Sequence, residues 1–262
     1  MLIIGERINS SRKAINEAVN KKDVEFIQKE AINQVNAGAD MLDVNCGTNV
    51  NSELSDMEWL IKKVQEVVDV PLVIDSPDPK ALEAGLKVYK GKPMINSTTG
   101  EKKRMDEVLP LVKEYKTSIV ALAMDENGMP HTALERYNVA KKITAAAEKY
   151  GISPSEIYFD PLVRPISTEP EQAREFFEAI KLIKTIPQVK TTCGLSNISF
   201  GLPNRSLLNS TFIAIAISAG LDSALIDPTD KNMIAAIRST EAILNRDEYC
   251  MEYITWFKGE KK

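Results

Sequence analysis

Leu72-Val73-Ile74-Asp75-Ser76 and, one helix further on, Met94-Ile95-Asn96-Ser97 are short apolar runs that stop on a group wanting hydrogen bonds. Ile157-Tyr158-Phe159-Asp160-Pro161 and Cys193-Gly194-Leu195-Ser196-Asn197 repeat the pattern. Apolar runs of this length, bounded by turn residues, read as buried strands. A carboxylate or carboxamide at the end of such a strand must find partners, because a buried polar group without them is costly. Several strands ending this way predict a shared pocket.

Working outward from these stretches, apolar runs at 2–4, 41–44, 72–74, 93–95, 118–124, 157–159, 191–195 and 224–226 predict eight strands. Helical spacing lies between them. Val24, Ile27, Ala31 and Val35 step by three and four, with Gly38 placed to end that helix. Further helices are predicted over 79–89, 102–115, 133–150, 170–184, 207–219 and 232–244. Asp78-Pro79 supplies a cap before a first-turn proline, and Thr168 with Glu171 predicts a capping box. The first unit is long, since Asn9 to Asp23 carries an extra, partly helical stretch.

Strands alternating with helices through 262 residues, without a linker-like break, predict an α/β fold. The expected form is a single-domain (β/α)8 TIM barrel over 1–262. A doubly wound open sheet is the rival. It has no need of eight near-equal units, and no Gly-x-Gly-x-x-Gly follows the first strand.

Composition narrows the function classes. Apolar residues at 44% and charged residues at 27% are ordinary for a globular protein. A net charge of −4 gives no reason to expect nucleic acid as a partner. Lys102-Lys103-Arg104 and the 258–262 tail read as a solvated helix face and a frayed end. Met1 to Ile4 is too short for a signal segment or a membrane span before Glu6 and Arg7 intervene, so no membrane is expected. Three cysteines argue against a disulfide framework and for a cytoplasmic location. Cys46, Cys193 and Cys250 have no metal-ligand spacing, and the single His131 excludes multi-histidine sites. No metal is expected on this chain.

In a barrel the catalytic groups sit at the C-terminal strand ends. Those ends offer Glu6 and Arg7, Asp43 and Asn45, Asp75, Asn96, Met124 and Asp125, Asp160, Ser196 and Asn197, and Asp227. Such a lining lacks the cationic clamps a phosphate ester requires and the nucleophile–base pair of a hydrolase. It suits a flat heterocycle with alternating donors and acceptors, such as a 2-amino-4-oxo pterin. A carboxylate accepts two parallel N–H bonds from that edge, and a carboxamide donates and accepts beside it. The plainer reading is local: Asp75 and Asp160 as loop caps, Asn96 holding a turn, Asp43 and Asp227 capping the next helix.

At these residues the chain resembles the pterin-binding barrel family, and within it the methyltetrahydrofolate:corrinoid protein methyltransferases. The matching text is Ile4-Gly5-Glu6-Arg7-Ile8-Asn9, Leu42-Asp43-Val44-Asn45 with Gly47, Ile74-Asp75-Ser76, Met94-Ile95-Asn96-Ser97-Thr98, Asp160-Pro161-Leu162, Gly194-Leu195-Ser196-Asn197 and Asn204-Arg205. The resemblance implies a methyltransferase of one-carbon metabolism, in an acetogenic or demethylating pathway. It would move a methyl group between N5 of tetrahydrofolate and the cobalt of a separate corrinoid protein, in a direction the sequence leaves open. It further implies a homodimer, with the corrinoid carried by the partner. The corrinoid-binding Asp-x-His-x-x-Gly motif cannot be built around His131.

By the same resemblance Asp75, Asn96 and Asp160 anchor the pterin, Gly194 and Ser196 form its wall, and Asn197 lies near N5. Arg205 assists the ligand or its loop. Asn197, Asp160 and Asp75 are the expected catalytic residues, with Glu6, Asp43 and Phe200 as further candidates; a polar residue stands in the family where this chain has Phe200. Asn197 accepts from N5–H, and a water-linked network through Asp43, Asp75 or Asp160 carries the proton. The alternative is a dihydropteroate synthase-like transferase, which would bind aminobenzoate and pyrophosphate. That family typically carries a lysine just after the serine at the seventh strand end and an Arg-x-His near its last strand. Asn197 follows Ser196 here, and His131 lies elsewhere. A non-catalytic pterin-binding protein is the remaining class. Cobalamin-dependent methionine synthase holds a related folate module, but this chain has no room for its other modules.

Overall fold

Strands β1 (Leu2–Asn9), β2 (Met41–Asn45), β3 (Leu72–Asp75), β4 (Met94–Thr98), β5 (Ser118–Leu122), β6 (Ile157–Asp160), β7 (Lys190–Thr191) and β8 (Ser223–Ile226) run parallel. Their lateral order is β7-β6-β5-β4-β3-β2-β1-β8. Just beyond β7, Leu225 N donates to Cys193 O at 2.8 Å and Gly194 bridges Leu225, which closes the sheet on itself. The result is a (β/α)8 barrel. The computed structural model describes residues 1–49 and 51–259, so the end of the lysine-rich tail, 260–262, lies outside the described residues.

Helices α1 (Lys13–Lys21), α2 (Val24–Asn36), α3 (Glu53–Gln65), α4 (Pro79–Val88), α5 (Lys102–Tyr115), α6 (Ala133–Lys149), α7 (Gln172–Ile183), α8 (Arg205–Ala219), α9 (Lys231–Ile243) and α10 (Met251–Gly259) surround it. The pleat sorts each strand's side chains into two sets. Leu42, Val44, Leu72, Ile74, Ile95, Ile119, Ile157 and Phe159 point outward into the core beneath the helices. Ile4, Met41, Val73, Met94, Val120 and Tyr158 point inward and fill the barrel with a separate apolar layer. Because side chains alternate, the next inward positions along these strands are Glu6, Asp43, Asp75, Asn96, Leu122 and Asp160. An apolar plug therefore sits beneath a polar layer, and the site rests on that plug.

Local chemistry explains the element ends, with corrections to the expected boundaries. Asp78 caps α4 through Lys80 N ahead of Pro79, and Gly38 (φ 100°) follows α2, as the sequence predicts. The box predicted at Thr168 and Glu171 does not form. Thr168 Oγ1 donates to Pro165 O instead, and Glu171 is itself the uncapped N-cap of α7. A capping box does join Thr132 to Glu135 at α6. Strand β1 runs past the predicted 2–4, so Glu6 and Arg7 belong to it rather than to a loop. Strand β7 is shorter than 191–195, because the chain turns at Gly194 into a 3-10 helix, Leu195–Ser199. Helices α3 and α10 fall outside the predicted set. The signal for α3 was present: Met57, Leu60, Ile61 and Val64 are its fully buried stripe.

Gly5 is required by packing. A Cβ there would lie 2.4 Å from Gln34 Oε1, the oxygen that accepts from Arg7 N at 3.0 Å. That close approach fixes the end of β1 against α2.

Candidate functional site

Strand register builds the site before any ligand enters. Asn45 pairs with Asp75 across β2 and β3, and Asp75 pairs with Asn96 across β3 and β4, which sets three polar side chains in one row. Asp43, two residues before Asn45, faces the same interior. Asn45 Nδ2 donates to Asp75 Oδ2 at 2.9 Å, and Asn96 Nδ2 donates to Asp43 Oδ1 at 3.3 Å. Each carboxylate thus holds one carboxamide and keeps an oxygen for other donors. Asn45 is itself fixed, its Oδ1 accepting from Ser10 Oγ and Gly47 N.

Asp160, at the end of β6, is partly buried. Its oxygens accept from Leu162 N at 2.7 Å and Gly194 N at 3.4 Å, which ties the loops after β6 and β7 together. Burial pushes its pKa up to about 6 against those two bonds. Burial likewise raises Asp75 to about 6, opposed by the Asn45 bond. Asp43 stands well above the usual carboxylate range through burial first and the neighbouring Asp75 charge second. Glu6 is raised by burial and opposed by Ser196 Oγ, which donates to Glu6 Oε1 at 2.9 Å. Glu6, Asp43 and Asp75 therefore line one space, with Asp160 adjoining it, and burial favours the protonated form of each.

That space is a cavity of about 420 Å³ lined by Glu6, Asn9, Ser11, Arg12, Asp43, Asp75, Gly194, Ser196, Asn197 and Leu225. Of the expected residues, Glu6, Asp43, Asp75, Gly194, Ser196 and Asn197 line it directly. Asn96 and Asp160, each partly exposed, adjoin it, bonded to Asp43 and Gly194 respectively. Asn197 lies on the 3-10 helix, and its carboxamide makes no hydrogen bond among the described residues. Arg205, opening α8, donates from Nε to Ser199 Oγ (2.9 Å) and from Nη2 to Ser196 O (2.6 Å). It braces the turn that carries Asn197 and does not line the cavity. Phe200 follows that 3-10 helix and is 65% exposed, and its carbonyl accepts from Ser167 Oγ.

Other strand-end groups take structural work instead. Arg7 donates from Nη1 to Asp227 Oδ2 at 2.7 Å and from Nε to Glu30 at 2.5 Å, so Arg7 and Asp227 pair with each other. Asp227 also accepts from Thr229 and does not cap α9, whose N-cap is Asp230. Asp125 accepts from Lys142 at 3.1 Å, and it lines a second cavity of about 410 Å³ with His131. Arg104 spans two strand ends, donating to Ser76 O, Pro77 O and Ser97 O. Among the described residues no cluster of three His, Cys, Asp or Glu side chains is placed to hold a metal.

Sequence reasoning missed Ser11 and Arg12, which lie in an irregular turn without periodicity. Asn9 was legible only as part of the Gly5–Asn9 run.

Comparison with known proteins agrees with this geometry. A family model described as pterin binding enzyme matches residues 5–227. The chain is 39% identical to a methylcorrinoid:tetrahydrofolate methyltransferase of Eubacterium limosum, across 100% of this chain and 97% of that protein. It is 35% identical to a methionine synthase of Mycobacterium tuberculosis over 86% of its length, but spans only 20% of that larger enzyme. Among solved structures, the Xanthomonas albilineans dihydropteroate synthase in complex with 7,8-dihydropteroate superposes with a TM-score of 0.75 at 18% identity, covering 93% of each chain. At that identity the likeness speaks for the barrel alone.

Proposed function

This chain belongs to the pterin-binding enzyme family, and from that premise we propose that it transfers a methyl group between N5 of tetrahydrofolate and the cobalt of a separate corrinoid protein. The carrying observation is the polar layer above the barrel plug, where Asp43, Asp75 and Asp160 keep acceptor capacity beside a free Asn197 carboxamide. The full-length likeness to a methylcorrinoid:tetrahydrofolate methyltransferase supports flux toward methyltetrahydrofolate.

The donor set fits a pterin. Its amino and N3–H edge offers parallel donors, which Asp75 and Asp160 accept, while Asn96 meets the neighbouring edge. Binding these N–H groups favours the ionised carboxylates and lowers their raised pKa values. N5 then lies beside Asn197. A corrinoid supplies the cobalt centre that gives or takes the methyl group. When methyl leaves N5 the amine keeps an electron pair and must gain a proton; in the other direction it loses one. Asn197 Oδ1 accepts from that N5–H and stabilises it as it forms, but an amide delivers no proton. The chain's own proton reservoir is the Asp43, Asp75 and Asp160 set, reached through water. Arg205 holds the turn in place by occupying Ser196 O.

We also infer a homodimer in the cytoplasm, with residues 1–262 acting as one domain. Leu207 and Ile215 leave an apolar stripe exposed on α8, and the three cysteines are free. Among the described residues no helix is long and apolar enough to cross a membrane.

The test mixes the protein with a methylated corrinoid protein and tetrahydrofolate and follows the cobalt absorbance, then repeats the run from methyltetrahydrofolate and reduced corrinoid. Spectral change dependent on both partners is expected. Folate binding with no spectral change in either direction would leave only a pterin-binding protein.

A further inference from the structure

Arg12 is the cation that lines the cavity, and only two loose ion pairs hold it. Its guanidinium Nη2 stands 3.8 Å from Glu6 Oε1 and 3.9 Å from Asp227 Oδ2, beyond hydrogen-bond range of either. Both carboxylates have nearer donors: Ser196 Oγ at 2.9 Å for Glu6, and Arg7 Nη1 at 2.7 Å with Thr229 Oγ1 at 2.6 Å for Asp227. Among the described residues the Arg12 side chain makes no hydrogen bond, and no other cation lines the cavity. Its side chain is 42% exposed, and with Ser11 it forms the solvent side of a wall whose inner members are the buried Asp43 and the partly buried Asp75.

Arg12 is also the N-cap of α1. No side chain caps that helix and its first turn holds no acid, so the N–H end of the helix is left positive beside the guanidinium. The floor of the cavity is acidic and suits a neutral ring; its outer lip is cationic and suits an anion. A tetrahydrofolate has that division: a neutral pterin at one end and glutamyl carboxylates at the other.

We propose that Arg12 is a specificity residue that binds the glutamyl carboxylates of the folate tail, and so distinguishes folates from tail-less tetrahydropterins. The proposal rests on the pterin reading of the cavity. Its fork geometry matches a carboxylate bidentately, which a lysine cannot reproduce. Because the pair forms at a half-exposed lip, its contribution is modest and salt-sensitive.

The experiment compares equilibrium binding of methyltetrahydrofolate, its triglutamate, and N5-methylated 6-methyltetrahydropterin to the wild type, Arg12→Gln and Arg12→Lys. Wild type is expected to bind both folates more tightly than the tail-less pterin, with that advantage shrinking as salt is raised. Arg12→Gln should weaken folate binding about five-fold and leave the tail-less pterin unchanged. Arg12→Lys should lie between. An equal loss for all three ligands would overturn the proposal, since Arg12 would then act through Glu6 on the ring site. Unchanged folate binding with a raised KM for the corrinoid protein would overturn it in favour of a docking contact. If the wild type binds none of the three, the pterin reading fails and this proposal falls with it.

Discussion

Asp160→Asn separates ligand binding from stability more cleanly than any other change at this site. Asp160 is partly buried, accepts two backbone N–H bonds, and has a pKa raised by burial from 3.8 to about 6. Ionising a carboxyl so raised costs the folded protein about 3 kcal/mol. Above pH 6 that cost is present in full; as pH falls through 6 toward 3.8 the folded carboxyl takes a proton and the cost disappears. Asparagine never carries the charge. It keeps the bond from Leu162 N (2.7 Å in the wild type), but its amide nitrogen faces a second donor, Gly194 N, so one bond worth about 1 kcal/mol is lost. At pH 8 the variant should therefore be as stable as the wild type or more stable by about 1–2 kcal/mol. At pH 5 that advantage should shrink or reverse. Folate affinity should move the other way. Losing a charge-assisted acceptor costs about 1.5–3 kcal/mol, or roughly 10- to 150-fold in Kd. Urea unfolding at pH 8 and pH 5, with calorimetric titration of tetrahydrofolate, reads both effects. A variant less stable at pH 8 than at pH 5, relative to wild type, or one with unaltered folate affinity, would refute the reasoning.

Asn197→Ala should lower the methyl-transfer rate about 10- to 100-fold with a smaller change in folate affinity, measured by single-turnover kinetics, because its free carboxamide meets only the reacting amine. Tetrahydrofolate binding near pH 6 should release protons, since N–H donors favour the ionised forms of Asp75 and Asp160, each raised to about 6; titration in buffers of differing ionisation enthalpy would detect this, and proton uptake would contradict it. Gly5→Ala should destabilise the fold by about 1–3 kcal/mol in urea, because its Cβ would drive Gln34 off Arg7 N. Arg104→Ala frees the carbonyls of Ser76, Pro77 and Ser97 and should raise KM for folate while lowering Tm.

The barrel was legible because its strands alternate a fixed way: Val73 and Asp75 point inward, Leu72 and Ile74 outward, and each run ends where the chain must turn. Asp75, Asn96 and Asp160 were legible for the same reason, as polar groups closing buried runs. Arg7 and Asp227 read equally well as site residues, yet they satisfy each other across β1 and the loop after β8, a pairing set by barrel closure rather than by local spacing. Arg12 stayed hidden for the opposite reason. Its turn has no period, and only the folded lip shows its guanidinium beyond hydrogen-bond range of Glu6 and Asp227. The 3-10 turn after β7 was hidden too, since Cys193 to Leu195 is apolar enough to continue a strand, and only the Asp160 bond to Gly194 N shows where the chain bends.

The fate of one carbon atom tests methyl transfer most directly. Protein mixed with a corrinoid protein carrying a [13C]methyl group on cobalt and with excess tetrahydrofolate should move the label to N5 of the folate, seen as a shifted methyl resonance within one turnover, and Asn197→Ala should slow its arrival. Label that remains on cobalt, or that appears on folate at the same rate without this protein, would contradict the account.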